Sequence, residues 1–482
     1  MKLNSYPFFL TASVATLSSA ASFDPTNRDS VTSAAKQLAS GLFSYYEPTY
    51  GVGVFPKSLW WQAGAAWDAL VNYWFLTGDD TYNSDAQSAL LAQGFEGFQP
   101  LNQTASMTND EIAIWALAGV TAAERSFPSN GTNYIDLSIA SFESLLARWD
   151  DSNSTQSTCG VPAGGLRMGI WTFSTLYDYK NTMSTALLFQ LSARLARYTG
   201  NVTYTDTAVK TYDWLEKAGL IDADGSVYDG LTDYFSSSAN SSSEDDCSGS
   251  VQIDHLQWSH TSAALLQGAL ILANITTDSV WRTRSLTLLS GIENVFYPAS
   301  PNAVPATSTN NNATVLVEAA CEPVATCNKE QVGFKGLAAR WLAWGAVSAP
   351  ASMNIPARVA DKISGTASAA HQRCNDTLCT GRWFELAEQY DVGDISSFTG
   401  LGQQLSAFEA VLAPLVNSSI VLQRSGTTAT VNGSAVATLT GTASSTMATG
   451  ARQTGAATRL SGVAGVQGLA LVMAVVVMAL AL

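Results

Sequence analysis

The sequence predicts an all-α domain built as a toroid of six antiparallel helical hairpins. Apolar residues recur at three-to-four spacing in about twelve segments, strand-like alternation is nearly absent, and several segments end in recognisable stop signals. The segments are 28–46, 58–76, 81–95, 109–125, 133–149, 180–199, 203–218, 255–273, 277–296, 330–347, 355–367 and 399–416. Thr77-Gly78 and Thr199-Gly200 each end a segment in a glycine, and Pro128 follows the helix that ends near Arg125. Helical hairpins bury both their faces only when neighbours flank them on each side, which arranges them as inner and outer rings. No close sequence repeat accompanies the pattern.

The connections 159–165, 222–250 and 297–312 are rich in Gly, Ser, Asn and Pro and have no core pattern, so they are expected as loops whose clustering on one rim would build a site. After Val416 the chain turns to Ser, Thr, Ala and Gly and is expected as a stalk, which places the domain at 22–420 and the stalk with an attachment region at 421–455. The remainder, 456–482, has a short polar spacer and an uncharged apolar run from Val463 to Leu482. That order is the signal for a GPI anchor, and no Lys or Arg follows the run to hold a transmembrane helix. At the other end, Lys2, the apolar stretch from Pro7 to Leu17 and the small residues Ser19-Ala20-Ala21 form a secretory signal over 1–21. The expected location is the outer face of the plasma membrane, or the cell wall.

With 482 residues, 46% of them hydrophobic and 13% charged, the chain has apolar surface enough for one large domain or two ordinary ones, which excludes disorder throughout. A formal charge of −15 excludes nucleic acid and anionic lipid as natural partners and suits a neutral sugar. Cys159, Cys247, Cys321, Cys327, Cys374 and Cys379 form an even set in a chain sent to an oxidising compartment, so disulfides are expected. Cys321 with Cys327 and Cys374 with Cys379 would close small loops and leave Cys159 for Cys247, one of about fifteen pairings open to six cysteines. Acceptor sequons occur at Asn102, Asn130, Asn153, Asn201, Asn240, Asn274, Asn312, Asn375, Asn417 and Asn432, a density suited to a cell-surface protein. No ion site of recognisable spacing appears, His255, His260 and His371 being the only histidines, and no cofactor is expected.

Nucleophile elbows, phosphate loops and metal helices are absent, and carboxylates remain. Met107-Thr108-Asn109-Asp110-Glu111 opens an apolar helix with two acids side by side. Glycosyl transfer needs two carboxyl groups at an anomeric carbon, one ionised and one protonated, and neighbouring acids repel enough to divide those roles. The same residues also form a capping box, Thr108-x-x-Glu111, whose acids the helix dipole stabilises. Aromatic residues crowd Leu59-Trp60-Trp61-Gln62 and Tyr73-Trp74-Phe75, with Trp171, Tyr177, Tyr179 and Trp258 further on. Core packing accounts for most of them, whereas Trp61 and Trp258 are the better candidates to stack on a sugar ring.

The chain resembles glycoside hydrolase family 76, and within it the fungal GPI-anchored α-1,6-mannanase-like wall proteins of the Defective-in-filamentous-growth type. The resemblance is carried by Leu59 to Ala65, Asn72-Tyr73-Trp74, Thr77-Gly78-Asp79, Asn109-Asp110-Glu111 with Trp115 and Ala122 to Arg125, and Gly164 to Arg167. It continues through Tyr179-Lys180-Asn181, Ala193 to Gly200, Tyr228-Asp229-Gly230, His255 to Trp258, Cys321-Glu322-Pro323, Phe334-Lys335-Gly336 and Gly402 to Ala407. It departs at Glu111, where the family has a second aspartate, at Ile112, which is usually polar, and at His260-Thr261, commonly Tyr-Asn.

The resemblance implies an (α/α)6 barrel and a retaining endo-acting enzyme for α-1,6-linked mannose. By position, Asp110 would be the nucleophile and Glu111 the acid and base, with Trp61, Gln62, Asn109, Lys180, Asn181, Asp229, His255 and Trp258 as substrate contacts. The implied partners are α-mannan or the GPI-core glycan, a glucan acceptor if the sugar is transferred rather than hydrolysed, and the membrane through a GPI lipid. The alternative is a glycan-binding, wall-organising surface protein in which Glu111 has removed turnover.

Overall fold

The computed structural model describes residues 23–99, 107–150, 162–232, 252–298, 314–375, 377–383, 400–431 and 434–435. The leader, the terminal apolar run, Cys159, Cys247 and the sequons at Asn102, Asn153, Asn240, Asn312 and Asn432 lie outside them. The chain separates into 1–439 and 440–482, and every described residue falls in the first unit.

Among the described residues are twelve α-helices: α1 Arg28–Phe43, α2 Trp60–Thr77, α3 Asn83–Gln93, α4 Asn109–Glu124, α5 Tyr134–Ala147, α6 Thr182–Thr199, α7 Val202–Lys217, α8 Ser259–Ile275, α9 Ser279–Phe296, α10 Phe334–Ser348, α11 Ile355–His371 and α12 Leu401–Leu412. The even-numbered helices are buried on nearly every face, as Ala63, Ala65, Ala66, Trp67 and Ala69 of α2 illustrate. The odd-numbered ones bury a single stripe, such as Val31, Ala34, Ala35, Leu38 and Leu42 of α1. That contrast fixes the architecture, because an all-round apolar helix needs neighbours on all sides and an amphipathic one needs a single partner surface. The even helices accordingly pack in the closed order α2, α4, α6, α8, α10, α12 and back to α2, with α1, α5 and α11 each packed outside two of them and α3, α7 and α9 chiefly outside one. The result is an (α/α)6 barrel.

Gly78 and Gly200 end α2 and α6 in the left-handed conformation at φ 80° and 74°. Most helices start a little later than periodicity predicts, and for α6, α8 and α10 the local reason is plain. Residues 179–181 form a strand ahead of α6, 255–258 follow a strand in extended form ahead of α8, and Gln331–Gly333 is a 3-10 turn ahead of α10. The strands are β1 Tyr179–Asn181, β2 Gly230–Thr232 and β3 Gln252–Asp254, an antiparallel sheet in that order with Asn181 opposite Gly230 and Gly230 opposite Asp254. Two further pairs are minimal: β4 Cys374–Asn375 with β5 Leu378–Cys379, and β6 Thr430–Val431 with β7 Ser434–Ala435.

The packed domain runs past the predicted boundary at 420. Gln423 N donates to the Glu124 carbonyl at 2.7 Å, Ser425 N to Tyr198 O at 2.9 Å and Ala429 N to Ser126 Oγ at 3.1 Å, while Ala429 is fully buried. The segment 421–431 is therefore not stalk: its backbone amides satisfy carbonyls at the ends of α4 and α6, which composition does not reveal. Cys321–Cys327 and Cys374–Cys379 are disulfides. Asn130, Asn201, Asn274 and Asn375 are exposed, while Asn417 is half-buried and donates its amide to Leu415 O.

Candidate active site

The first turns of α2, α4, α6, α8 and α10 converge on one cleft of about 360 Å³. They bring Trp61, then Asp110 and Glu111, Asn181 and Met183, Trp258 with His260 and Thr261, and finally Phe334 with Glu330 and Gln331 just ahead of it. Among the described residues four carboxyl groups line the cleft, Asp110, Glu111, Asp229 and Glu330, and no Lys or Arg does. The positive ends of five helix dipoles supply the opposing field.

Asp110 is held by three donors. Thr108 Oγ1 and the Glu111 backbone amide, the latter at 2.9 Å, donate to Oδ1, and Asn181 Nδ2 donates to Oδ2 at 2.7 Å. Burial pushes its carboxyl above the ordinary value while the three donors oppose that rise. Glu111 is pushed up to about 8 by burial and by the neighbouring Asp110 charge. It accepts only two long contacts, from Trp61 N and Thr108 N at 3.4 Å each. The better-solvated charge is thus Asp110 and the proton resides on Glu111. Capping and cleft lining coincide here: Glu111 completes the capping box of α4 and still faces the cavity.

The small sheet sets the opposite wall. Thr182 N donates to Asp229 O at 2.7 Å and Asp229 N to Asp254 O at 3.1 Å, so Asp229 sits beside Asn181 at the cleft. Its carboxyl accepts from Trp258 Nε1 at 2.7 Å and from the Tyr179 hydroxyl. Burial raises its pKa against those two donors. Trp258 is thereby fixed edge-on to Phe334, ring centroids 5.4 Å apart. Phe334 also stacks flat on His260 at 3.8 Å, and burial lowers His260 to about 3, a neutral imidazole in the wall.

Six of the ten predicted site residues meet at the cleft: Trp61, Asp110, Glu111, Asn181, Asp229 and Trp258. Four do not line it. Gln62 caps its own helix, accepting from Leu59 N at 3.1 Å and donating to Lys329 O at 3.0 Å. Asn109 points away, donating to Arg167 O at 2.7 Å and accepting from Arg148 Nη1 at 3.3 Å. Lys180 is buried behind β1, bonded to Gly164 O at 2.8 Å and paired with Asp150 at 2.9 Å. His255 is exposed and rests its ring against Tyr228. They position the elements that carry the cleft rather than the cleft surface.

Glu330 and Tyr179 were not among the predicted contacts. Glu330 follows the Cys321–Cys327 disulfide in a segment without a motif, and its carboxyl accepts a hydrogen bond from the Trp61 side chain. Burial and the Asp110 charge raise it. The signal available in the sequence was positional: like Trp61, Asp110 and Asn181, it stands just at the start of an all-round apolar helix.

A carboxyl pair with divided proton affinities, set where the inner helices of an (α/α)6 barrel converge, defines a glycoside hydrolase. The chain belongs to glycosyl hydrolase family 76, whose signature matches residues 30–425. It is 34% identical over 409 residues to the mannan endo-1,6-alpha-mannosidase DCW1 of Saccharomyces cerevisiae, covering 82% of this chain and 81% of that one. Its identity to the mannan endo-1,6-alpha-mannosidase DFG5 of the same yeast is 32% over 406 residues, covering 82% and 80%. Among solved structures, Dfg5 from Chaetomium thermophilum, in complex with glucosamine, matches with TM-score 0.66 at 28% identity over 82% of this chain and 92% of that one. A Salegentibacter α-1,6-mannanase, an inactive variant with two adjacent aspartates changed to asparagine and bound to α-1,6-mannotriose, shares the fold with TM-score 0.60 at 17% identity, covering 80% and 99%.

Proposed function

We propose that the chain is a retaining mannan endo-1,6-α-mannosidase, with Asp110 as nucleophile and Glu111 as acid and base. The observation that carries this reading is the division of labour between two adjacent carboxyls: Asp110 with three donors and Glu111 raised to about 8 with two long ones. In the first half-reaction Asp110 attacks the anomeric carbon of a mannose, Glu111 gives its proton to the departing glycosidic oxygen, and a mannosyl ester forms. In the second, the ionised Glu111 takes a proton from water or a sugar hydroxyl, which attacks the same carbon and frees Asp110. Trp61, Trp258 and Phe334 give the cleft apolar faces for sugar C–H surface, and Asn181, Asp229 and Glu330 offer hydroxyl partners.

Mannan as substrate is supported by the activities named for the yeast relatives. The leader and the terminal apolar run support a GPI-anchored protein on the outer face of the plasma membrane or in the wall, where wall mannan or a GPI-core glycan is the donor and a glucan hydroxyl an acceptor.

The test is incubation of the secreted chain with α-1,6-mannooligosaccharides, with and without a glucan acceptor, products being identified by mass spectrometry. Shortened or transferred glycans that vanish in Asp110→Asn establish the enzyme and separate hydrolysis from transfer. Substrates that bind and stay intact would replace it with the glycan-binding reading, in which Glu111 only caps α4.

A further inference from the structure

Two helices that carry the aromatic wall of the cleft begin without caps of their own. The N-cap of α8 is Trp258, whose indole makes no capping bond, lines the cleft and donates Nε1 to Asp229 Oδ1 at 2.7 Å. The N-cap of α10 is Gly333, which has no side chain to cap with. Amides in a first helical turn need an acceptor from elsewhere. In α10 there is a second burden, since Lys335 stands in the first turn, fully buried at the positive end of the helix dipole.

Both needs are met from one turn behind the wall, at 318–322. Glu318 reaches across 59 residues of chain to accept from Ser259 N at 2.9 Å and Ser259 Oγ at 2.6 Å, so it caps α8 in place of Trp258. Glu322 pairs with Lys335 Nζ, which also donates to Gly381 O at 2.8 Å and lies 3.8 Å over the Trp383 ring. The two glutamates form a unit: Glu318 N donates to Glu322 Oε2 at 2.9 Å and Glu322 N to Glu318 O at 3.0 Å. The Cys321–Cys327 disulfide closes the loop around Glu322, while Val317 N to Phe296 O at 2.9 Å and Leu316 N to Thr366 Oγ1 at 3.1 Å fasten it to α9 and α11. Glu318, Glu322, Ser259 and Lys335 are all buried, and none of them lines the cleft. Their chain neighbours do: Trp258 and His260 flank Ser259, and Phe334 precedes Lys335.

We propose that Glu318 and Glu322 are positioning residues which, acting as one bracket through Ser259 and Lys335, hold Trp258, His260 and Phe334 at the spacing that a sugar ring requires and so set substrate affinity. This rests on the reading that the cleft takes a mannan glycan. Phe334 joins the two bracketed helices at the wall, edge-on to Trp258 at 5.4 Å and flat on His260 at 3.8 Å, so a shift of either helix start alters a ring contact. An aromatic wall binds a sugar through close C–H contact, which displacements of about 0.5 Å already weaken. Neutral side chains of similar size would fill the space behind the wall at a smaller desolvation cost, and what the charged set adds is orientation. Asp110 and Glu111 take their hydrogen bonds from Thr108, Asn181 and Trp61 and none from the bracket, so the chemical step keeps its rate.

The experiment measures binding of α-1,6-mannotriose by titration calorimetry, with kcat and KM on α-1,6-mannohexaose, for the full chain and for Glu318→Ala, Glu318→Gln, Ser259→Ala and the neutral exchange Glu322→Gln/Lys335→Met. All are compared at a temperature at which thermal melts show them folded. Kd and KM are expected to rise about tenfold in Glu318→Ala and in the neutral exchange and about threefold in Ser259→Ala, with kcat kept. Glu318→Gln retains an acceptor for Ser259 and stays near wild type. A lowered melting temperature with unchanged Kd makes the glutamates helix caps only and overturns the proposal. A fall of kcat at unchanged Kd overturns it too, because the bracket then acts on the carboxyl pair. Should the glutamate variants fail to fold, Ser259→Ala, which keeps the backbone bond, decides the matter by the same Kd comparison. Wild type that binds mannotriose without cleaving the hexaose removes the mannosidase reading and leaves the bracket to be judged by Kd, whereas wild type that does not bind mannotriose overturns both.

Discussion

Asn181 holds Asp110 from across the cleft floor: its Nδ2 donates to Oδ2 at 2.7 Å while its Oδ1 accepts the Ser184 amide at 3.3 Å and so caps α6. One side chain thus joins Asp110 on α4, the proposed nucleophile, to the start of the neighbouring inner helix. Asn181→Ala removes both bonds and is expected to lower kcat by about 10- to 100-fold, the worth of a hydrogen bond to a charged group. It should also cost ~1 kcal/mol of stability as a lost cap. Asn181→Asp retains the cap but sets a like charge against Asp110, so its melting temperature should stay near wild type while kcat falls. Steady-state kinetics beside thermal melts separate the two effects.

The same buried acids give stability an acid optimum. Burial raises Glu318, which accepts from Ser259 N at 2.9 Å and from Ser259 Oγ at 2.6 Å at the start of α8, to about 8. A carboxyl raised in the folded state contributes stability fully present below its unfolded value, near 4.5, and lost as pH rises through about 8. Glu124 is the opposite case, held down at about 2 against its burial by Arg194, Arg197 and Arg125. Its contribution is complete above about 4.5 and lost as pH falls through about 2. Melting temperature measured from pH 3 to pH 8.5 should therefore peak near pH 4.5 and decline on the alkaline side. Glu318→Gln should flatten that decline.

Glu124 is the charge that three arginines need. It lies at the far end of α4 from Asp110, pairing with Arg125 at 2.8 Å, Arg194 at 2.7 Å and Arg197 at 2.5 Å, and all four side chains are buried. Glu124→Gln takes from three buried guanidinium groups the carboxylate they share, which should cost about 3–5 kcal/mol in chemical denaturation. Fourteen residues of helix, roughly 20 Å, separate it from the carboxyl pair. The pH–rate profile of the folded variant should match that of wild type.

The ring of helices was legible because twelve apolar stripes of helical period leave little else for the chain to do, and Gly78 and Gly200 mark two of the ends. The carboxyl pair was legible as two acids opening such a helix. The three strands were not, since three residues each hold no period, and Lys180 and Asn181 joined the α6 pattern although pairing with Gly230–Thr232 draws Tyr179–Asn181 into a sheet. Gln62, Asn109 and Lys180 read as sugar contacts through the family resemblance, which places them by position beside Trp61, Asp110 and Asn181. In the fold they serve backbone carbonyls at Lys329, Arg167 and Gly164, partners far away in the chain that no local pattern announces. Glu330 escaped notice for the converse reason: it stands alone after a disulfide loop, and only ring closure carries it to Trp61.

Glu330 adds to the proton affinity of Glu111. In the proposed mechanism Glu111 must carry its proton when the glycosidic oxygen departs, and its value, pushed up to about 8, places the expected fall of kcat/KM near pH 8. Burial is the largest cause of that rise, the Asp110 charge the next, and the Glu330 charge adds to both. Glu330→Gln removes one negative charge from the cleft, so the proton on Glu111 is held less tightly and the alkaline limb should move to lower pH. Because Glu330 also accepts from the Trp61 side chain, Gln at this position keeps an acceptor there and spares the packing of Trp61 on Phe334. The acid limb belongs in this reading to Asp110, whose raised value comes from burial opposed by Thr108, Asn181 and backbone donors, and it should stay in place in the variant. A profile narrowed from the alkaline side, with the plateau kcat kept, is the expected result; an alkaline limb unmoved in Glu330→Gln would mean that the Glu330 charge is screened from Glu111.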